Sequence, residues 1–104
     1  MITISLLITI DIPHATSLKD KRAVVRSLVE RLRSRLHVSA AEVGLNDRVQ
    51  VAQVGVAIVS GDYATARAVA DEARRFIDAE LLGRADVRDV ATEEGELESR
   101  STRA

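Results

Sequence analysis

Eleven residues near the start of the chain alternate without a lapse. Ile2, Ile4, Leu6, Ile8, Ile10 and Ile12 hold the even positions, and Thr3, Ser5, Leu7, Thr9 and Asp11 stand between them. Side chains of an extended backbone point to opposite faces in turn, so this stretch is a strand with an apolar face and a mostly polar one. Its β-branched composition suits a pleated surface. Pro13 has no N–H to give a ladder, and the strand stops there. A strand of this kind requires a second layer against its even face.

The next segment supplies that layer. In SLKDKRAVVRSLVERLRSRL, Ser17 followed three residues later by Asp20 forms a capping box. Leu18, Val25, Leu28, Val29, Leu32 and Leu36 then recur at spacings of three, four and seven, an apolar stripe along one side of a helix. A short, loosely alternating stretch from His37 to Val43 reads as an edge strand, and Gly44, Asn46 and Asp47 supply turn chemistry. From Val49 to Ser60 the chain is apolar on both faces, as a central strand is. Asp62 is placed to cap a second helix, whose core face is Tyr63, Ala66, Val69, Ala70, Ala73, Phe76, Ile77 and Leu81. Gly83 ends it. A last strand covers Ala85 to Thr92, where Val87 and Val90 share a face only if a bulge intervenes.

Strand, helix, strand, strand, helix, strand with a hairpin in the middle is the split βαβ order of the ferredoxin-like α+β fold. Right-handed crossovers put the first and third strands in the centre of a four-stranded antiparallel sheet, with both helices on one face. The expected organisation is one domain over residues 1–92 and a disordered, polar tail over residues 93–104. A chain of 104 residues has room for one core.

Composition removes several functions. Zero cysteines exclude disulfides, thiol nucleophiles, zinc knuckles and iron–sulfur ligation. No apolar run is long enough for a membrane helix, and residues 1–13 lack the basic start and cleavage site of a signal peptide, so the expected location is the cytoplasm. Thirteen arginines against two lysines suggest a GC-rich bacterial genome. The formal net charge of −1 gives no global attraction to nucleic acid, but its distribution is uneven. Lys19 to Arg35 holds seven basic residues against two acidic, whereas Asp62 to Glu98 holds eleven acidic against five basic.

Two surfaces follow from this reading. The first helix carries a basic flank, Lys19, Lys21, Arg22, Arg26 and Arg33, a candidate track for RNA phosphates; the competing reading is a solvated face with Arg26 and Arg33 paired to Glu30. The odd face of the sheet is left bare by both helices and presents Leu7, Val43, Val51, Ala57 and Val59, a candidate homodimer or ligand face. Aromatic stacking of bases on that sheet is not expected, because the only aromatics, Tyr63 and Phe76, belong to the second helix.

Other polar groups read as structural. Glu42, Asp47 and Gln50 are expected to stabilise the hairpin, with Glu42 pairing to Gln50 or Arg48. His14 and His37 fall at opposite ends of the first helix, too far apart to share a metal. Asp11 has no carboxylate or histidine partner for acid–base work. The loop after the first strand lacks the arginine that acylphosphatase-like chemistry needs, so no enzyme, cofactor or metal is expected.

SLKDKRAVVRSLVERLRSRLHVSAAEV, with Asp47, Gln50, Ala52 and GVAIVSGD after it, resembles the YlxP-like family of small bacterial proteins of unknown function, over most of the chain. The resemblance implies a ferredoxin-like fold. Frequent encoding of family members beside translation and ribosome-maturation factors implies a role near RNA or the ribosome.

Overall fold

In the computed structural model, which describes residues 1–98, the elements are β1 (Ile2–Asp11), α1 (Leu18–Leu36), β2 (Ser39–Gly44), β3 (Val51–Ser60), α2 (Tyr63–Leu81) and β4 (Asp86–Glu96). The sheet runs β2-β3-β1-β4, antiparallel throughout, so the two most apolar strands are the two inner ones. This is the ferredoxin-like arrangement. Ile4, Ile8, Ile10, Ala52, Val54 and Val56 point from β1 and β3 into the core, where they meet Val25, Leu28 and Leu32 of α1 and Ala66, Ala73 and Ile77 of α2. With Ala70, the buried alanines of α2 number three, which lets that helix lie close to the sheet.

Local chemistry sets the boundaries. Ser17 Oγ accepts from the Asp20 N–H at 3.1 Å, the first half of the capping box. The return half reaches one residue further than the motif specifies: Asp20 Oδ2 accepts from the N–H of Thr16 at 3.0 Å and from its hydroxyl at 2.7 Å. Asp62 caps α2 by accepting from Thr65 N–H at 2.9 Å. His37 closes α1 in the left-handed region at φ 54°, its N–H donating to Arg33 O.

β4 settles one question the sequence leaves open and departs from its expected end. Its register against β1 shifts between Thr9 and Ile10, so Val90 pairs with Ile8 and Val87 with Ile10, and both valines pack on the core. The residue this bulge inserts is Arg88, whose guanidinium reaches Asp11. The strand also continues past Thr92. Glu93, Glu94 and Glu96 pair with Ser5, Ile4 and Ile2, which corrects the reading of residues 93–96 as tail. Backbone ladder bonds to a central strand hold those residues regardless of their polar side chains, and Glu94 is also bound by Tyr63 Oη (3.2 Å) and Arg67 (3.4 Å) of α2. The remainder of the expected tail, 99–104, lies outside the described residues.

The caps make stability sensitive to acid. Hydrogen bonds from Thr16 hold the Asp20 carboxyl below its ordinary 3.8, and those from Thr65 do the same for Asp62. Their contribution is complete above 3.8 and disappears as pH falls through the lowered values. Asp62→Asn should therefore lower the melting temperature by a few degrees at neutral pH. Circular-dichroism melts should show that deficit shrinking toward zero as the pH is taken from neutral to well below 3.8.

Candidate nucleic-acid interface on the first helix

The apolar stripe of α1 contains a lysine. Positions 21, 25, 28 and 32 follow the same four-three-four spacing, and Lys21 is fully buried with 0% exposure beside Val25, Leu28 and Leu32. It is thus not a surface cation, and its assignment to the basic flank is corrected. Its Nζ donates to Leu45 O at 2.6 Å and lies 3.2 Å from Glu42 Oε2. Leu45 has φ 56°, a left-handed turn residue. Glu42 Oε2 is itself buried, and the lysine's geometry toward it is not that of a hydrogen bond, so the attraction between the two is Coulombic. A buried ammonium needs such partners, since burial without them costs several kcal/mol. The pair ties α1 to both β2 and the β2–β3 turn.

The remaining cations of the flank stay outside. Lys19, Arg22, Arg26 and Arg33 are exposed, and among the described residues none of them has a carboxylate within ion-pair distance. The expected pairing of Arg26 and Arg33 with Glu30 does not form. Arg33 instead donates from Nε to Ala40 O at 2.9 Å, which fixes its stem against β2 and leaves the two terminal nitrogens available. Arg22, Arg26 and Arg33 line one shallow groove of about 310 Å³ between α1 and β2, floored by Val25, Val29 and Ala41 and closed at one side by Glu42. Arg31, on the other flank, is bound to Glu80 of α2 at 2.8 Å.

Lys21 therefore serves the groove indirectly. By offsetting the charge of Glu42 it leaves the three arginines as the uncompensated charge there. Over one helical flank they span roughly 16 Å, with Arg22 and Arg26 about 6 Å apart along the axis.

Glu42 and Gln50 take other roles than expected. Gln50 Nε2 donates to Pro13 O and Ala15 O, both at 3.1 Å, and so holds the β1–α1 loop rather than Glu42. Asp11 gains Arg88, the bulge residue of β4, as a partner, and the aspartate raises the arginine's pKa by accepting its hydrogen bonds. Among the described residues no three His, Asp or Glu side chains gather to hold a metal, and no helix is long and apolar enough to cross a membrane.

The open sheet face is smaller than the alternation suggests. Leu7, Val43 and Val59 are 39%, 55% and 67% exposed, and Ala57 is exposed with them, but Val51 is only 7% exposed. Val51 pairs with Asp11 at the far end of the sheet and lines a polar hollow with Asp11, Arg88, Arg48 and Gln50, so it leaves the candidate dimer face.

Residues 3–92 match the model of a protein family of unknown function, DUF503. The chain belongs to that family. It is 34% identical over 64 residues to the uncharacterized protein YlxP of Bacillus subtilis (strain 168), a match covering 62% of this chain and 70% of that one. Among solved structures it is similar to a de novo designed protein with a ferredoxin fold, at TM-score 0.60, 11% identity and coverage of 98% and 93% of the two chains. It is also similar to a C-terminal segment of the alpha subunit of aIF2 from Pyrococcus abyssi, at TM-score 0.53, 16% identity and coverage of 94% and 51%. At these identities the structural likenesses speak for the fold alone. DUF503 membership agrees with the YlxP-like resemblance of the α1 segment, and the position that motif gives to Lys21 is the buried one.

Removing one partner of the buried pair should expose its value. Lys21→Met leaves Glu42 without a counter-charge and should destabilise the protein by about 3 kcal/mol, whereas Lys21→Met with Glu42→Leu should recover most of that loss. Urea unfolding followed by circular dichroism measures both.

Proposed function

We propose that this DUF503 protein is a small non-enzymatic factor that binds the phosphate backbone of RNA through α1, in association with the ribosome or the translation machinery. The observation that carries the reading is the row Arg22, Arg26 and Arg33, gathered along one groove with no carboxylate in ion-pair range among the described residues. Four arginines elsewhere in the fold are paired, Arg67 and Arg74 with Asp71 and Asp78, Arg88 with Asp11 and Arg31 with Glu80, and Arg35, Arg48, Arg75 and Arg84 do not line this groove. Planar guanidinium groups suit phosphate oxygens, and Lys19 extends the row by one turn toward the helix start.

The rest of the surface orients the molecule. α2 and β4 carry most of the acidic residues, so an RNA strand is attracted to one side and repelled from the other. The open face of the sheet carries no aromatic side chain, so contact is to backbone and shape rather than to stacked bases. No histidine, serine or carboxylate constellation on the described surface suggests a reaction.

Arg22→Glu with Arg26→Glu should fold normally, since both side chains are exposed, and should lose at least about tenfold in RNA affinity at low salt. Fluorescence anisotropy against a short RNA duplex over a salt series should give a wild-type slope in log K of about −3, reduced by about 2 in the variant. A wild type that binds no RNA or ribosome at low salt would overturn the proposal. So would a doubly substituted protein that binds as the wild type does.

A further inference from the structure

The open sheet face has a central pattern that complements itself. In the observed register, one row across the sheet reads Ala41, Gly55, Leu7, Ala91, because Leu7 pairs with both Gly55 and Ala91, and Gly55 with Ala41. Leu7 thus stands beside a glycine over which the Val43 side chain leans, in a shallow trough of about 550 Å³ otherwise lined mainly by small residues. The next row reads Ser39, Ala57, Ser5, Glu93. We infer that this face docks a second copy of the chain about a two-fold axis that runs parallel to the strands between β1 and β3.

Three observations select that occupant and that axis. Rotation about it lays β1 of one copy over β3 of the other at the same height, so each Leu7 descends beside the partner copy's Gly55 and against the Val43 methyls that lean over it, an apolar contact made twice about the axis. It also lays the acidic outer strand over an uncharged one. β4 presents Asp89 and Glu93 to the open face, opposite Thr9 and Ser5, whereas β2 presents Ser39, Ala41 and Val43. The alternative axis, across the strands, stacks β4 on β4 and sets those carboxylates against their own copies, which like-charge repulsion disfavours. Finally, ten residues of rise by four strand spacings offer about 600 Å² per copy, close to the lower end of specific interfaces. The facing sheets turn by about 30° in such packing, so the match is kept near the axis and relaxes toward the corners. Both α1 helices lie on the outer sides of this sandwich, and the dimer does not depend on RNA.

The sequence holds no cysteine, so introduced thiols report cleanly. Sedimentation equilibrium of the full chain without RNA should give a dimer at micromolar concentrations. Leu7→Lys should give a folded monomer, because the side chain it replaces is already 39% exposed. A short bismaleimide should join a Ser39→Cys chain to a Glu93→Cys chain far more than it joins Glu93→Cys chains to each other. A wild type that stays monomeric overturns the inference and leaves the face to a different partner. A dimer indifferent to Leu7→Lys, or one in which Glu93→Cys chains join each other preferentially, overturns it equally.

Discussion

A lysine with no exposure to water sets where α1 lies. Its ammonium is held by the carbonyl of a left-handed turn residue and by a carboxylate one strand away, so the helix cannot slide along the sheet without leaving a buried charge unmatched. Hydrophobic packing alone is more forgiving, because valines and leucines tolerate small shifts of register on a smooth sheet. The single charged contact gives the β2 side of the helix one position. From that position the arginines at 22, 26 and 33 fall along a common groove, and the groove's own carboxylate is already occupied by Lys21.

The fold divides its surfaces by charge as a result. On one side of the sheet lies α1 with its solvent-facing guanidinium groups; α2 sits beside it and ties Arg67 and Arg74 to its own aspartates and Arg67 also to Glu94 of β4. The opposite side of the sheet carries Leu7, Val43 and Val59 among small residues, with the carboxylates of Asp89 and Glu93 on β4. The helix face proposed to attract phosphates and the sheet face inferred to fit a second copy are separate surfaces, each with its own test.

Much of this architecture was legible in the residues. The alternation from Ile2 to Ile12, the stripe on α1 and the doubly apolar β3 each demand one position in the sheet, and the strand order follows from them. Val87 and Val90 left open which of them faces the core, since two valines three apart share a strand face only across a bulge, and the register shift supplies it. What the sequence concealed were effects of tertiary partners. Lys21 occupies a stripe position by spacing, but its chemistry argued for the surface until Leu45 and Glu42 appeared beside it. Residues 93–96 looked like tail because side-chain polarity carries no information about a backbone ladder to β1. Val51 reads as outward by parity, yet at the end of the sheet it is enclosed with Asp11 among the loops. The basic row on α1 was visible as a charge excess, and the structure separated its members into one buried anchor, one backbone-tethered arginine and three free cations.

The account stands on α1 sorting its cations into an inward anchor and an outward row that meets phosphate. Nitrogen-15 correlation spectra of the labelled protein titrated with a short RNA duplex at low salt test that sorting residue by residue. The account predicts shifts concentrated at residues 19–33 and at Ala41 and Glu42, with α2 and β4 silent and the whole response abolished by high salt. Shifts centred on the open sheet face or on α2, or spectra that RNA leaves unchanged, would contradict it.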